Sequence, residues 1–279
     1  MSAEGRLVGK RALVTGSGTG IGRGVALEFA RQGADVVLHY SHSDAGAKSA
    51  VEEIRQMGRN ATAFQADFRS LEEISSLADQ AIGFMGGIDC LVNNAGVTFN
   101  RQFLKVTPEQ FDLTYQVNIR GQFFLTQKIV ADMLDHGGGA VCNMTSVHGV
   151  AGAPEHSVYA GTKGAIIAYT RALAVELAHK NVRVNALAPG MVVVENYQKV
   201  PGFSEEGAQK EAWERIPLGR HGVPADIGRV AAFLCSDDAD FIIGQTIVAD
   251  GGTTSLMSLI SDFRNEYPTS LGKGYVPGI

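Results

Sequence analysis

The sequence predicts an α/β fold: a doubly wound sheet of seven parallel strands with helices on both faces, in a single domain over residues 1–279. Three observations carry this. Short apolar runs alternate with longer amphipathic runs along nearly the whole chain, the pattern of repeated strand–helix–strand units. The apolar runs are continuous rather than alternating, as strands buried on both faces require. No change of composition, internal repeat or low-complexity linker divides the chain.

The first strand is RALVTG (11–16), followed by the helix GIGRGVALEFARQG (20–33), which Gly33 is suited to close. DVVLHY (35–40) is the second strand, and DAGAKSAVEEIRQMG (44–58) a helix stopped at Gly58. ATAFQAD (61–67) is the third strand. The helix after it opens with Ser70 and Glu73 in the spacing of a capping box. IDCLVNNAG (88–96) is the fourth strand, and one long helix runs from Pro108 to about Asp135. GAVCNMTS (139–146), the helix from Ser157 to Ala178, and VRVNALAPG (182–190) follow in turn. A helix after Pro224 leads to the last strand, QTIVADGG (245–252). Residues 191–223 are polar and only weakly helical in pattern. They are too long for an ordinary connection, which marks a substrate lid. The tail 255–279, with Phe263, Tyr267 and Tyr275, is expected to order by contact at a subunit interface.

With 45% hydrophobic and 19% charged residues the chain can bury a sizeable core. A net charge of −5 and the lack of a basic run argue against a nucleic-acid partner. Cys90, Cys142 and Cys235 sit in apolar runs without a CxxC pair, so they read as buried reduced thiols and no metal site is expected. The segment MSAEGRLVGKR lacks the apolar centre of a signal peptide, and no run is long enough to span a membrane. A cytoplasmic enzyme with a small-molecule substrate and no membrane partner is the expectation.

VTGSGTGIG (14–22) lies between the first strand and the first helix. There glycine lets backbone approach a pyrophosphate, and the helix N-terminus offers unpaired N–H groups, the device of a Rossmann-type dinucleotide site. The spacing is Gly16-x-x-x-Gly20-x-Gly22 rather than GxGxxG, and a Walker A lysine is absent. An acid at the end of the second strand would select NAD through the ribose 2′-hydroxyl. That position falls in HYSHS (39–43), near Tyr40 and Ser41, and holds no carboxylate; Asp35 is at the wrong end and Asp44 reads as a cap of the next helix. Ser41, His42 and Arg23 are the available donors, which favours NADP over NAD.

Tyr159 and Lys163 stand four residues apart, on one face of a helix. A lysine charge at ~4 Å with an effective dielectric of ~20 favours a phenolate by up to ~4 kcal/mol, or roughly three pKa units. That would bring the tyrosine from about 10 toward working pH, where acid–base catalysis is most effective. Ser146, at the end of the fifth strand, would meet the pair at the carboxyl edge of the sheet and hydrogen-bond a substrate oxygen.

TGSGTGIG (15–22), NNAG (93–96), Asn118, Ser146, YAGTK (159–163) and PG (189–190) together resemble the short-chain dehydrogenase/reductase family, in the family's order and over nearly the whole chain. The resemblance implies an NAD(P)-dependent oxidoreductase that interconverts a secondary alcohol and a carbonyl. Tyr159 would be the general acid/base, Lys163 its partner and a ribose ligand, Ser146 the substrate-orienting hydroxyl, and Asn118 the support of a water-linked proton path. Cofactor contacts would come from Gly16, Ser17, Gly18, Thr19, Gly20, Ile21 and Gly22, and from Tyr40 and Ser41. Asp67 and Phe68 would serve the adenine, Asn94, Ala95 and Gly96 the adenosine side, and Pro189, Gly190 and Val192 the nicotinamide side. Val194 stands where the family often has a threonine on the carboxamide, which leaves Glu195 and Asn196 as candidate substrate contacts. Ser146, His148, Glu155 and His156, polar and close in sequence to the reacting groups, suit a hydroxylated substrate, and the text resembles glucose-dehydrogenase-like members, so a sugar, polyol or hydroxyketone is expected. The alternatives are a 3-oxoacyl-(acyl carrier protein) reductase-like enzyme, which expects a basic patch at Arg215, Arg220 and His221, and a non-catalytic dinucleotide sensor. The family also implies a homotetramer.

Overall fold

A computed structural model describes residues 5–195, 197, 202–256 and 263–264. The seven strands are β1 (Arg11–Val14), β2 (Asp35–Tyr40), β3 (Ala61–Gln65), β4 (Cys90–Asn93), β5 (Gly139–Met144), β6 (Val182–Pro189) and β7 (Thr246–Ala249). They form one sheet in the order β3-β2-β1-β4-β5-β6-β7, and every pairing is parallel. The order reverses between β1 and β4, so a crevice opens beyond their carboxyl ends, where ligands of such sheets bind. The helices are α1 (Gly20–Arg31), α2 (Asp44–Gln56), α3 (Leu71–Met85), α4 (Pro108–Tyr115), α5 (Gln122–Asp135), α6 (Ser157–Leu177), α7 (Glu205–Arg215) and α8 (Pro224–Cys235). Apolar residues of α1, α2 and α8 fill one face of the sheet, and those of α3, α5 and α6 the other. Sheet residues alternate between the two cores: Val14 and Val92 face the first, Leu13 and Leu91 the second.

Four local expectations change. The helix from Pro108 does not run unbroken: a π-type turn over Gln116–Gly121 separates α4 from α5, and it carries Asn118. The polar stretch 191–223 contains a regular helix, α7, capped by Ser204 accepting from the Gly207 N–H. Ser70 caps α3 through the Glu73 N–H, but the Glu73 carboxylate turns to the Asp67 N–H instead of completing the box. Asp44 does not cap α2 with its side chain; its carboxylate takes the Tyr40 hydroxyl at 2.8 Å and the Lys48 ammonium at 2.8 Å. Most of the tail, including Tyr267 and Tyr275, lies outside the described residues, as does Asn196.

Candidate active site

The glycine loop leaves β1 and enters α1 through Gly16 at φ +63° and Gly20 at φ +59°, conformations that favour glycine. Its shape is fixed from below. Asn94 Nδ2 donates to the carbonyls of Thr15 at 2.9 Å and Gly16 at 3.2 Å, and the Thr15 hydroxyl accepts from the N–H groups of Asn94 and Ala95, both at 2.9 Å. A Cβ at Gly22 would run into the Gly16 carbonyl and the Asn94 amide. Ser17 is fully buried, and its hydroxyl bonds Val14 O at 2.7 Å, so it shapes the loop rather than facing a ligand.

His39, which sequence reasoning passed over, completes the support. Its Nε2 lies 3.0 Å from the Ala66 carbonyl, which can only accept, so Nδ1 is the bare nitrogen that takes the Gly16 N–H at 3.0 Å. Burial holds this imidazole neutral, pulling its pKa down to about 4 against the opposing bond to Ala66. Phe68 is buried against the His39 ring, with centroids 4.7 Å apart, and so is a core residue.

Two cavities flank the loop. One, of about 660 Å³, is lined by Gly18, Arg23, Tyr40, Ser41, His42 and Ser43 at the end of β2, with Asn94, Ala95 and Gly96. Among the described residues no carboxylate of the β2 end lines this cavity, although Asp44 accepts the hydroxyl of the lining Tyr40 at 2.8 Å. Arg23 is paired with Glu53 and bonded to Ser49 at 3.3 Å. Asp67 lines neither cavity; its carboxylate is bound by Arg69, which holds it below the ordinary range. Glu195, expected in the substrate pocket, instead faces the glycine loop, where it accepts from Thr19 and from the Gly20 N–H.

The other cavity, of about 640 Å³, brings together Gly96, Ser146, Tyr159, Gly190 and Val192 with His148, His156, Met191 and Tyr197. Ser146 ends the extended backbone after β5, and its oxygen accepts the His148 N–H at 3.2 Å. Tyr159 and Lys163 project from the first turns of α6. A Cβ at Gly96 would lie 3.1 Å from Asn118 Oδ1 and 3.8 Å from Lys163 Nζ, so a side chain here would crowd both groups. Asn118 is bound to the backbone of Val97 in both directions, at 2.8 and 2.9 Å, and donates to Thr162 at 3.2 Å.

The electrostatics differ from the sequence expectation. Lys163 is 4% exposed, donates to Met144 O at 2.9 Å and lies 5.5 Å from the Tyr159 ring centroid. Desolvation lowers its pKa to about 8. Tyr159 is not brought down by that charge: burial pushes it above its ordinary value, opposed by hydrogen bonding with Ser146 and Thr98. The reason is geometric. The ammonium is aimed at a carbonyl beneath the pocket, while the hydroxyls reach the phenol. Thr98 thus joins the site, two residues beyond NNAG, with no signal in the sequence to single it out.

His148 and His156 stack face to face, with ring centroids 4.4 Å apart and planes 8° from parallel, and both meet Tyr159 edge-on. Burial and the neighbouring His156 lower the His148 pKa. Across the cavity, Arg215 lies 3.5 Å from Glu211, and outside it Arg220 pairs with Asp226 at 2.7 Å, so the basic patch expected there is neutralised. Among the described residues no cluster of His, Cys, Asp and Glu could hold a metal ion.

A family model described as Enoyl-(Acyl carrier protein) reductase matches residues 16–254. A hydroxynaphthalene reductase-like protein of Metarhizium robertsii is 39% identical over 259 residues, 89% of this chain and 96% of that one. Versicolorin reductase 1 of Dothistroma septosporum is 38% identical over 255 residues, 88% and 97% of the two chains. A solved structure of 7α-hydroxysteroid dehydrogenase, complexed with NADH and 7-oxo glycochenodeoxycholic acid, superimposes with a TM-score of 0.83 at 36% identity, covering 89% of this chain and 95% of that one.

Proposed function

The chain belongs to the short-chain dehydrogenase/reductase family, and from that premise we propose that it reduces the ketone of a planar, multi-ring hydroxyketone, with NADPH favoured over NADH. It is an NAD(P)-dependent oxidoreductase. The chain's residues fit a dinucleotide: the glycine loop presents the start of α1, the cavity beside it matches an adenosine in its lining, and an anion already seats on the Gly20 N–H. Gly16, Gly20 and Gly22 would hold the pyrophosphate, Tyr40, Ser41 and His42 the adenosine ribose, and Gly96, Pro189, Gly190 and Val192 the nicotinamide half. When bound, the nicotinamide supplies the hydride.

The rest of the chemistry falls to side chains around the larger cavity. Ser146 orients the carbonyl oxygen by a hydrogen bond. Tyr159, protonated at neutral pH as an ordinary tyrosine is and held further that way by burial, gives its proton to that oxygen as the alcohol forms. Lys163, charged below about pH 8 and buried beneath, supports the polarity of the site and binds ribose. Asn118 holds the π-type turn against Val97 at the inner end of this proton path.

One observation carries the substrate reading: the stacked His148–His156 pair, edge-on to Tyr159, with Val147, Met191, Tyr197 and Ile216 on the remaining walls. Paired imidazoles present a flat polarisable surface with nitrogen at its rim, suited to a ring system bearing hydroxyls. Relatives named for hydroxynaphthalene and versicolorin reduction support it. A sugar or polyol would keep the histidines as hydrogen-bond partners but lose Glu195, which faces the glycine loop. An acyl-carrier substrate would meet arginines already paired with acids.

We further propose that residues 191–223 form a lid, that the enzyme is cytoplasmic, and that it is a homotetramer. Phe111, Leu113, Phe123 and Phe124 on α4 and α5, and Val175 on α6, are exposed and support subunit packing. Among the described residues no helix is long and apolar enough to cross a membrane. The substrate reading is tested by following NADPH oxidation with 2-tetralone, a 7-oxosteroid, a hexose and a 3-oxoacyl thioester. Preference for the ring ketones supports it; preference for the hexose or the thioester overturns it.

A further inference from the structure

Glu195 occupies a position that its place in the sequence does not suggest. It lies 175 residues beyond Gly20, in the segment that follows β6. One carboxylate oxygen, Oε2, accepts from the Gly20 N–H at 3.1 Å and from the Thr19 hydroxyl at 3.2 Å. Gly20 opens α1, so its N–H has no acceptor within the helix and is among the groups a bound anion would take. The neighbouring Val194 packs on the same turn: a Cβ at Gly20 would stand 3.5 Å from Val194 Cγ1. Burial disfavours the Glu195 charge. Backbone N–H groups, the Thr19 hydroxyl and the nearby Arg23 outweigh it and hold the carboxyl below its ordinary pKa, so it is an anion at neutral pH. Glu195 also lines the adenosine-side cavity, next to Gly18, Thr19 and Arg23.

We infer that Glu195 is a resident surrogate for the dinucleotide pyrophosphate, seated on its donors in the free enzyme, and that it sets cofactor affinity because it must leave before the cofactor binds. The inference rests on the glycine loop being the dinucleotide site. The Gly20 N–H has a single hydrogen, so a carboxylate and a phosphate oxygen cannot both take it in full. Both groups are anions, and the site offers Arg23 as its nearby cation, already paired with Glu53. Displacement therefore subtracts two charge-assisted hydrogen bonds from the gross affinity, and the carboxylate must move away from the incoming charge as well. The free enzyme gains in return: its helix terminus is satisfied and its loop is held in the shape that the cofactor needs.

The test needs no substrate. NADPH is titrated into the full chain as wild type, Glu195→Gln and Glu195→Ala, with binding read by calorimetry and by cofactor fluorescence. Removing the carboxylate should tighten binding about tenfold in Glu195→Ala, with Glu195→Gln between, since its amide oxygen still accepts but carries no charge. In stopped flow the wild-type rate should level off at high NADPH, at the rate of Glu195 release, whereas that of Glu195→Ala should keep rising. The melting temperature without cofactor should fall in Glu195→Ala, while the increase produced by cofactor grows. Unchanged or weaker binding in both variants would overturn the inference and make Glu195 a bystander or a cofactor ligand. No dinucleotide binding by any of the three proteins would overturn the site itself, and the inference with it.

Discussion

His39 makes the glycine loop sensitive to acid. The ring bridges Gly16 N–H and Ala66 O, is 2% exposed, and has its pKa drawn down to about 4 by desolvation. In the unfolded chain the same imidazole titrates near 6.5. Between these values the unfolded state binds a proton that the folded state refuses, so acid favours unfolding. The neutral ring's contribution is present above about pH 6.5 and is lost as pH falls toward 4. Linkage over a gap of roughly two and a half units gives a loss of ~2 kcal/mol by about pH 5 and ~3 kcal/mol by about pH 4. Carboxylates titrate in the same range, so the measurement is a difference. Urea unfolding of wild type and His39→Gln is followed at neutral pH and near pH 5. The variant replaces the rigid ring that bridges Ala66 O and Gly16 N–H by a flexible, non-titrating amide, and should be ~1–3 kcal/mol less stable at neutral pH. On acidification it should lose ~2 kcal/mol less than wild type, bringing the two curves together. Equal acid losses in the two proteins would refute the reasoning.

Other perturbations follow from the same geometry. Lys163→Met should stabilise the cofactor-free protein at neutral pH by ~1–2 kcal/mol, because it removes a charge buried at a cost that its bond to Met144 O repays only in part, and it should abolish turnover; thermal melting and NADPH oxidation read the two effects. Gly22→Ala should eliminate cofactor binding, measured calorimetrically, because the new methyl group meets the Gly16 carbonyl and the Asn94 amide. The double change Phe123→Asp and Phe124→Asp should yield a smaller assembly in light scattering if the exposed α5 face joins subunits.

Much of this fold is legible in the sequence because the hydrophobic effect writes it there. Runs such as Ala12–Val14 and Val36–Leu38 are apolar throughout because both faces are covered, and their alternation with amphipathic helices leaves few topologies. The meeting of Gly16, Ser146, Tyr159 and Lys163 is legible for the same reason: all lie at carboxyl ends of strands or the helix starts beside them. What the sequence hides is set by direction and environment. Spacing puts Lys163 beside Tyr159 but not the ammonium's aim at Met144 O, so the phenol's pKa moves opposite to the charge argument. Asn118 reads as one residue of a long helix, because a π-type turn leaves no mark in the hydrophobic period. His39 reads as one more residue of a strand, and its role depends on two backbone groups 23 and 27 residues away. Glu195 follows the nicotinamide-side motif and so reads as a substrate contact. Only the path of the chain after β6 carries it to Gly20.

The central claim is that Tyr159 passes the proton while Ser146 orients the oxygen. Single-turnover oxidation of enzyme-bound NADPH by a ring ketone, in wild type, Tyr159→Phe and Ser146→Ala, tests it most directly. The account predicts a rate lower by about 10²–10⁴-fold in Tyr159→Phe, with NADPH binding unchanged, and a smaller loss in Ser146→Ala. Wild-type rates in Tyr159→Phe with intact cofactor binding would contradict it.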